Sequence, residues 1–300
     1  MLPELFPGFE SRRIETDGAS IHVRVGGRGP AVVCLHGYPQ THACWHKVAG
    51  ALAERFTVVL PDLRGYGDST GPKSCDKHLA YSKRAMAADV VAVMRALGHE
   101  RFQVVGHDRG ARVGYRLVLD HPDRVERFVS LDVVPTYDAW ADISRENAIG
   151  RFHWSFLARP APFPETMIGR DPVFFMEYLF AQWCGTRDLS PFAEGAMAHY
   201  RQSYSKPEVI HACCEDYRAG AGIDVELDAA DLGAGRKIAC PTLVLWGGSR
   251  AHGVVHKPIE TWRRWCTNVI GEPVECGHFL PEEAPAETLA RLLPFLSGKA

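Results

Sequence analysis

The 300-residue chain is 46% hydrophobic and 23% charged, with a formal net charge of −2, the balance of a globular protein long enough to bury a large core. Its Lys and Arg residues are scattered and form no basic stripe, which sets aside a nucleic-acid surface, and no apolar run approaches the length of a membrane span. The N-terminal MLPELFPGFESRR has no apolar stretch of the signal-peptide kind, and nine cysteines without a C-x-x-C pair point to thiols in a reduced cytoplasm.

Residues 20–26 alternate as a half-exposed strand does, whereas 31–35, 57–60, 102–105 and 128–131 are short buried runs. Helical stretches lie between them, around 43–55, 81–97 and 111–120. This alternation predicts an α/β fold, a mostly parallel sheet flanked by helices, with reactive groups at the carboxyl ends of the strands. From about Thr136 to Asp228 the buried β runs disappear, aromatic residues and Met become frequent, and prolines cluster at 160, 162 and 164. That stretch reads as an inserted helical cap over 136–228, with 1–135 and 229–300 forming one core. Strand signals resume at Thr242–Trp246, followed by a helix, a weaker strand near 269–275 and a closing helix near 282–297.

The most informative segment is Gly106-His107-Asp108-Arg109-Gly110. A G-x-nucleophile-x-G turn between strand and helix pushes its central residue into a pocket. A carboxylate there achieves little against an ester, but on an sp3 carbon it forms an alkyl ester that water can cleave. The aspartate therefore points to an alkyl halide or an epoxide. His36-Gly37-Tyr38-Pro39 follows a buried strand, and the N–H of Tyr38 with that of Arg109 could meet an oxyanion. His278 stands after the last strand, in the chain order of nucleophile, acid and histidine. The segment 247–250 reads Gly-Gly-Ser-Arg and offers no carboxylate. Asp132, after the strand ending at Leu131, is then the acid expected to orient His278, although a turn aspartate is the other use of that position.

Arg109 and Arg112 share one helix face at i, i+3 spacing, where the helix N-terminus adds positive potential. A substrate carboxylate would explain two such arginines, the alternative being that one of them pairs with a local acid.

On these residues the chain resembles the haloacetate dehalogenases of the α/β-hydrolase superfamily. The similarity spans nearly the whole chain: HGYPQ at 36–40, DLRGYGDS at 62–69, GHDRGAR at 106–112, SLD at 130–132, HW at 153–154 and GHF at 277–279. The D-R-x-x-R element is its specific part. The resemblance implies Asp108 as nucleophile, Arg109 and Arg112 as a carboxylate clamp, and Asp132 with His278 completing a triad. It also implies a halide pocket of His153, Trp154 and Tyr217, no cofactor, and a homodimer. The activity implied is hydrolytic dehalogenation of a small 2-haloacid, fluoroacetate to glycolate first, through an aspartyl ester. A chloroacetate preference and an epoxide hydrolase are the neighbouring alternatives. A ligand-binding receptor on the same fold is the non-enzymatic one.

Two other patterns carry less. Gly65-x-Gly67 lacks the third glycine of a dinucleotide loop. His252, His256 and Glu260 have metal-like spacing but read as a solvated helix face, so no metal is expected.

Overall fold

The computed structural model describes residues 4–249 and 258–299. Its strands are β1 (Glu10–Thr16), β2 (Ala19–Gly26), β3 (Ala31–Leu35), β4 (Thr57–Pro61), β5 (Phe102–His107), β6 (Val125–Leu131), β7 (Thr242–Gly247) and β8 (Val269–Val274). They form one eight-stranded sheet in the order β1-β2-β4-β3-β5-β6-β7-β8. β1 and β2 run antiparallel to each other, as do β2 and β4, and the remaining pairs are parallel. The central strands β3 and β5 are buried along their whole length, as strands covered on both faces are.

Seven of the eight strands coincide with the runs read from the sequence, and β1 does not. ESRRIET is largely exposed, so it lacks the apolar alternation that marks a half-buried strand. It is held by a hairpin to β2 with Thr16 opposite Ala19. The Asp17-Gly18 dipeptide between them is the turn signal that could have revealed it.

Between β6 and β7 the chain is helical, from Thr136–Ala141 to Ile223–Gly233. This last helix continues across residue 228, the expected end of the insertion. No breaker stands there; the turn comes at Gly233-Ala234-Gly235. Arg116 and Tyr115 on the core helix Arg109–Asp120 explain why the segment is needed whole. The Tyr115 hydroxyl donates to Asp228 Oδ2 at 2.7 Å, and Arg116 pairs with both Asp228 and Asp231.

The inserted helices lie over the carboxyl ends of the strands. Tyr38, just after β3, packs against Trp183, Tyr204 and Tyr217, and the His278 N–H, after β8, donates to the Trp183 carbonyl. The glycine-containing loop after β4 is braced by buried Asp62, which accepts the backbone N–H groups of His42 and Asp68 and a ring nitrogen each from His22 and His42. His252 and His256 lie outside the described residues, and Glu260 sits on the helix Pro258–Trp265.

Candidate active site

Asp108 closes β5 and opens the helix Arg109–Asp120, with φ +47° and ψ −116°. An L-residue holds that conformation only where its surroundings over-determine it. The flanking glycines show how tightly they do so. A Cβ on Gly106 would lie 2.4 Å from the Ala111 Cα, and one on Gly110 would lie 2.3 Å from the Leu35 carbonyl oxygen. The strained turn lifts the carboxylate to the sheet's carboxyl edge, where the Tyr38 backbone N–H donates to Asp108 Oδ1 at 2.9 Å.

His278 approaches the same carboxylate from the loop after β8. Its Nε2 stands 3.9 Å from Asp108 Oδ2, and its Nδ1 lies 2.6 Å from Asp132 Oδ2. Asp132 also takes a positive φ, +56°, and its Oδ1 accepts the Gly247 N–H at 2.9 Å. Gly247 thus belongs to the strand that carries no acid but fixes the acid supplied by its neighbour. Burial alone would lower the imidazole pKa; the Asp132 hydrogen bond and the charges of Asp132 and Asp108 outweigh it and hold His278 above its ordinary value. Burial likewise opposes the Asp108 anion, but His278, His107 and the two arginines keep its carboxyl below the usual range.

Next to these groups is a cavity of about 80 Å³, lined among others by Asp108, Arg112, Asp132, His153, Trp154 and His278. That size excludes a drug-sized ligand and suits a molecule of a few heavy atoms. His153 and Trp154 reach it from the short helix Phe152–Leu157. Tyr217, on the helix Pro207–Ala221, has its ring centroid 5.6 Å from that of His153 and 6.1 Å from that of Trp154. Burial pushes His153 down to about 3, so the ring is neutral at working pH. Tyr217 keeps its hydroxyl proton because burial pushes its pKa up.

The two arginines separate. Arg112 lines the cavity, its guanidinium 4.7 Å from the Trp154 ring centroid, and donates to the Val134 carbonyl at 2.9 Å. No carboxylate among the described residues pairs with it. Arg109 does not line the cavity and is claimed by Asp216. Its Nε donates to Oδ2 at 2.9 Å and its Nη2 to Oδ1 at 2.6 Å. The alternative, that one of the two arginines pairs with a local acid, applies to Arg109, whose Nε and Nη2 are met by Asp216 of the inserted helices.

Asp216 is itself fully buried and accepts further bonds from Lys83 and the Tyr66 hydroxyl. Burial raises its pKa, but Arg109 and Lys83 more than offset this and hold it well below the usual carboxylate range. Asp216→Asn would leave buried Arg109 without its anion and Lys83 with Asp224 alone. The expected cost is about 3–5 kcal/mol of folding stability, read by denaturant unfolding.

A model of the α/β-hydrolase fold matches residues 30–285. The chain belongs to the α/β-hydrolase fold family. Within that family it is similar to fluoroacetate dehalogenase from Burkholderia sp, at 43% identity over 98% of this chain and 95% of that one. It is also similar to the soluble epoxide hydrolase of Corynebacterium sp. strain C12, at 33% identity over 94% and 95% of the two chains. Among solved structures, ALR0039 from Nostoc sp PCC 7120 superposes with a TM-score of 0.93 at 48% identity, covering 96% of this chain and 98% of that one.

Three residues around this α/β-hydrolase site were not legible beforehand: Asp216, Arg151 and Trp183. Asp216 immediately precedes Tyr217, and a lone acid in a helix gives no sign of a partner more than one hundred positions away. Trp183 and Arg151 line the cavity, and in sequence they are one tryptophan and one arginine among many.

Proposed function

We propose that this chain hydrolyses the carbon–halogen bond of a small 2-haloacid, with fluoroacetate as the first substrate to test and glycolate as product. The observation that carries this reading is an elbow aspartate facing a His–Asp pair and sharing a small cavity with Arg112, a cation with no carboxylate partner among the described residues. Asp108 Oδ2 attacks the substrate carbon in line, the halide departs, and a glycolyl ester remains on the enzyme. His278 takes a proton from water, whose oxygen adds to Cγ of the ester. The oxyanion forms at Oδ1, under the Tyr38 N–H, with the Arg109 N–H as second donor. Collapse breaks the bond between Cγ and the alkyl oxygen, and His278 returns the proton to the departing glycolate. Forming the ester also removes the Asp108 negative charge that helps hold a proton on His278, so alkylation itself prepares the base.

Arg112 supplies the carboxylate partner in this scheme. Halide release should be fast with fluoro-, chloro- or bromoacetate and poor with haloacetamide. Arg112→Leu should cost about 2–5 kcal/mol of transition-state stabilisation for the acids and far less for the amide. If haloacetamide turned over as well as haloacetate, or if epoxides gave diols while haloacids released no halide, the reading would fail.

His153, Trp154 and Tyr217 are proposed to receive the halide. Fluoride concentrates its charge on a small atom and gains most from fixed donors. Trp154→Phe and Tyr217→Phe should therefore slow defluorination more than dechlorination, with about 1.5–3 kcal/mol at stake per hydrogen bond to the anion. The ratio of the two rates is the measurement, and equal losses would mean that these rings merely shape the pocket. A homodimer belongs to the same proposal through the family resemblance, and a reduced cytoplasmic location through the cysteines; sedimentation tests the assembly.

A further inference from the structure

Ser74 lies on the loop between β4 and the short helical segment Asp76–Tyr81, His211 on the helix Pro207–Ala221 and Glu165 on the helix Phe163–Ile168. These three separate elements bring their side chains into one run of hydrogen bonds. The Ser74 hydroxyl is 2.7 Å from His211 Nε2, and His211 Nδ1 is 3.2 Å from Glu165 Oε1. A carboxylate only accepts, so the ring proton sits on Nδ1 and the lone pair of Nε2 is left for the serine O–H. Arg218 Nη1 pairs with the same Glu165 oxygen at 2.8 Å. Partial burial opposes the glutamate anion, but hydrogen bonds from Arg218 and the backbone outweigh it and keep the carboxyl below its usual range. A simple latch between the loop and the inserted helices would need only the bond from serine to histidine. The acid behind the ring fixes its tautomer and orientation, which is what a general base requires. Ser74 and His211 line a cleft of about 750 Å³ together with Lys73, Tyr81 and Lys206, and neither belongs to the wall of the cavity that contains Asp108.

We propose that Ser74 and His211 are the nucleophile and general base of a second catalytic site, positioned by Glu165, that cleaves small carboxylic esters. Ser74 Oγ adds to the ester carbonyl while its proton passes to His211 Nε2. The tetrahedral intermediate collapses, the bond from carbonyl carbon to alkoxy oxygen breaks, and the alcohol leaves with the proton from His211. Water then attacks the acyl group on Ser74 through the same base, and the carboxylic acid departs as the serine regains its proton. Lys73, which has no acid partner among the described residues and stands in the same cleft, supplies a cation for the oxyanion. The chemistry divides between the two sites. A carboxylate nucleophile such as Asp108 achieves little against an ester, whereas a serine hydroxyl with a base beside it suits an acyl carbon.

The test uses the full-length chain and two probes, p-nitrophenyl acetate and a small alkyl fluorophosphonate. The fluorophosphonate should lose fluoride and add one phosphonyl group to the protein, which peptide mass spectrometry should place on Ser74. Release of p-nitrophenol should continue past one equivalent, and Ser74→Ala and His211→Asn should each slow it about 100-fold or more. Glu165→Gln should slow phosphonylation about tenfold, and Glu165→Asp should recover part of that loss. The denaturant midpoint of Ser74→Ala should stay at the wild-type value, because the hydroxyl it removes is exposed. A chain that takes no phosphonyl group overturns the assignment, as does a label on Tyr81 or acetylation of the exposed Cys75 in place of Ser74. Release of p-nitrophenol that persists unchanged in Ser74→Ala overturns it as well. So does a loss of release that comes with a collapsed unfolding midpoint, since the hydroxyl would then only latch the loop to the inserted helices. Phosphonylation unchanged in Glu165→Gln would remove the positioning residue and with it the three-residue site.

Discussion

His278→Asn should accumulate a protein carrying one carboxymethyl group as an ester on Asp108, seen as a mass increase after incubation with a 2-haloacid. The two half-reactions need different groups. Alkylation needs the Asp108 anion, which its strained position exposes, and a route for the halide. Hydrolysis needs a base to deprotonate water, and His278 Nε2 at 3.9 Å from Asp108 Oδ2 leaves the carboxylate and the ring close enough to share one water molecule. Removing that base should reduce steady-state turnover about 10⁴-fold or more while the first equivalent of halide still leaves. In the native chain, a single turnover in heavy-oxygen water should put the label into the Asp108 carboxylate, since water attacks Cγ and glycolate departs with an aspartyl oxygen. Label found in glycolate alone would mean direct attack of water on the substrate, and the covalent route would be wrong. Asp108→Ala should abolish both phases.

The parts of this molecule that were legible in its sequence are those where local chemistry and position coincide. Gly106, Asp108 and Gly110 announce an elbow because no other turn needs glycines at that spacing around a reactive side chain, and the structure shows the contacts that forbid a Cβ there. β3 and β5 announce themselves because strands covered on both faces are buried and mostly apolar along their length. β1 was hidden because it lies at the sheet edge, where exposure removes the pattern. The placement of Asp132 followed from an absence, the missing acid after β7, and the structure resolves it as a shared arrangement in which the Gly247 N–H supports the acid from β6.

The fate of Arg109 could not be read the same way. Its partner Asp216 is more than one hundred residues away on an inserted helix, and nothing in a periodicity or a turn signal reports which buried acid meets which buried base. Buried ion pairs are long-range decisions of the fold, and here they decide which of the two arginines at 109 and 112 has an acid for a partner.

Asp132→Asn should lower kcat by about 10⁴-fold while leaving the initial burst of halide largely intact. The Gly247 N–H donates to Oδ1, so an asparagine that keeps this bond turns its NH₂ toward His278 Nδ1. A donor there forces the ring proton onto Nε2, the nitrogen that must accept a proton from water. The variant therefore carries a correctly placed base in the wrong tautomer. Its pH dependence supplies a second, independent sign. In the native free enzyme His278 is held above its ordinary pKa, against burial, by the Asp132 hydrogen bond, the Asp132 charge and the Asp108 charge. Ester hydrolysis needs the neutral ring, so its rate should rise with pH as His278 loses its proton, with part of that rise displaced downward once the ester has neutralised Asp108. Replacing Asp132 removes both the hydrogen bond and the charge, so the acidic limb of the residual hydrolysis should move to lower pH. Its amplitude falls at the same time. An unchanged acidic limb would mean that another group titrates there, and an equal loss of burst and steady state would mean that Asp132 serves the structure of the pocket and not the base.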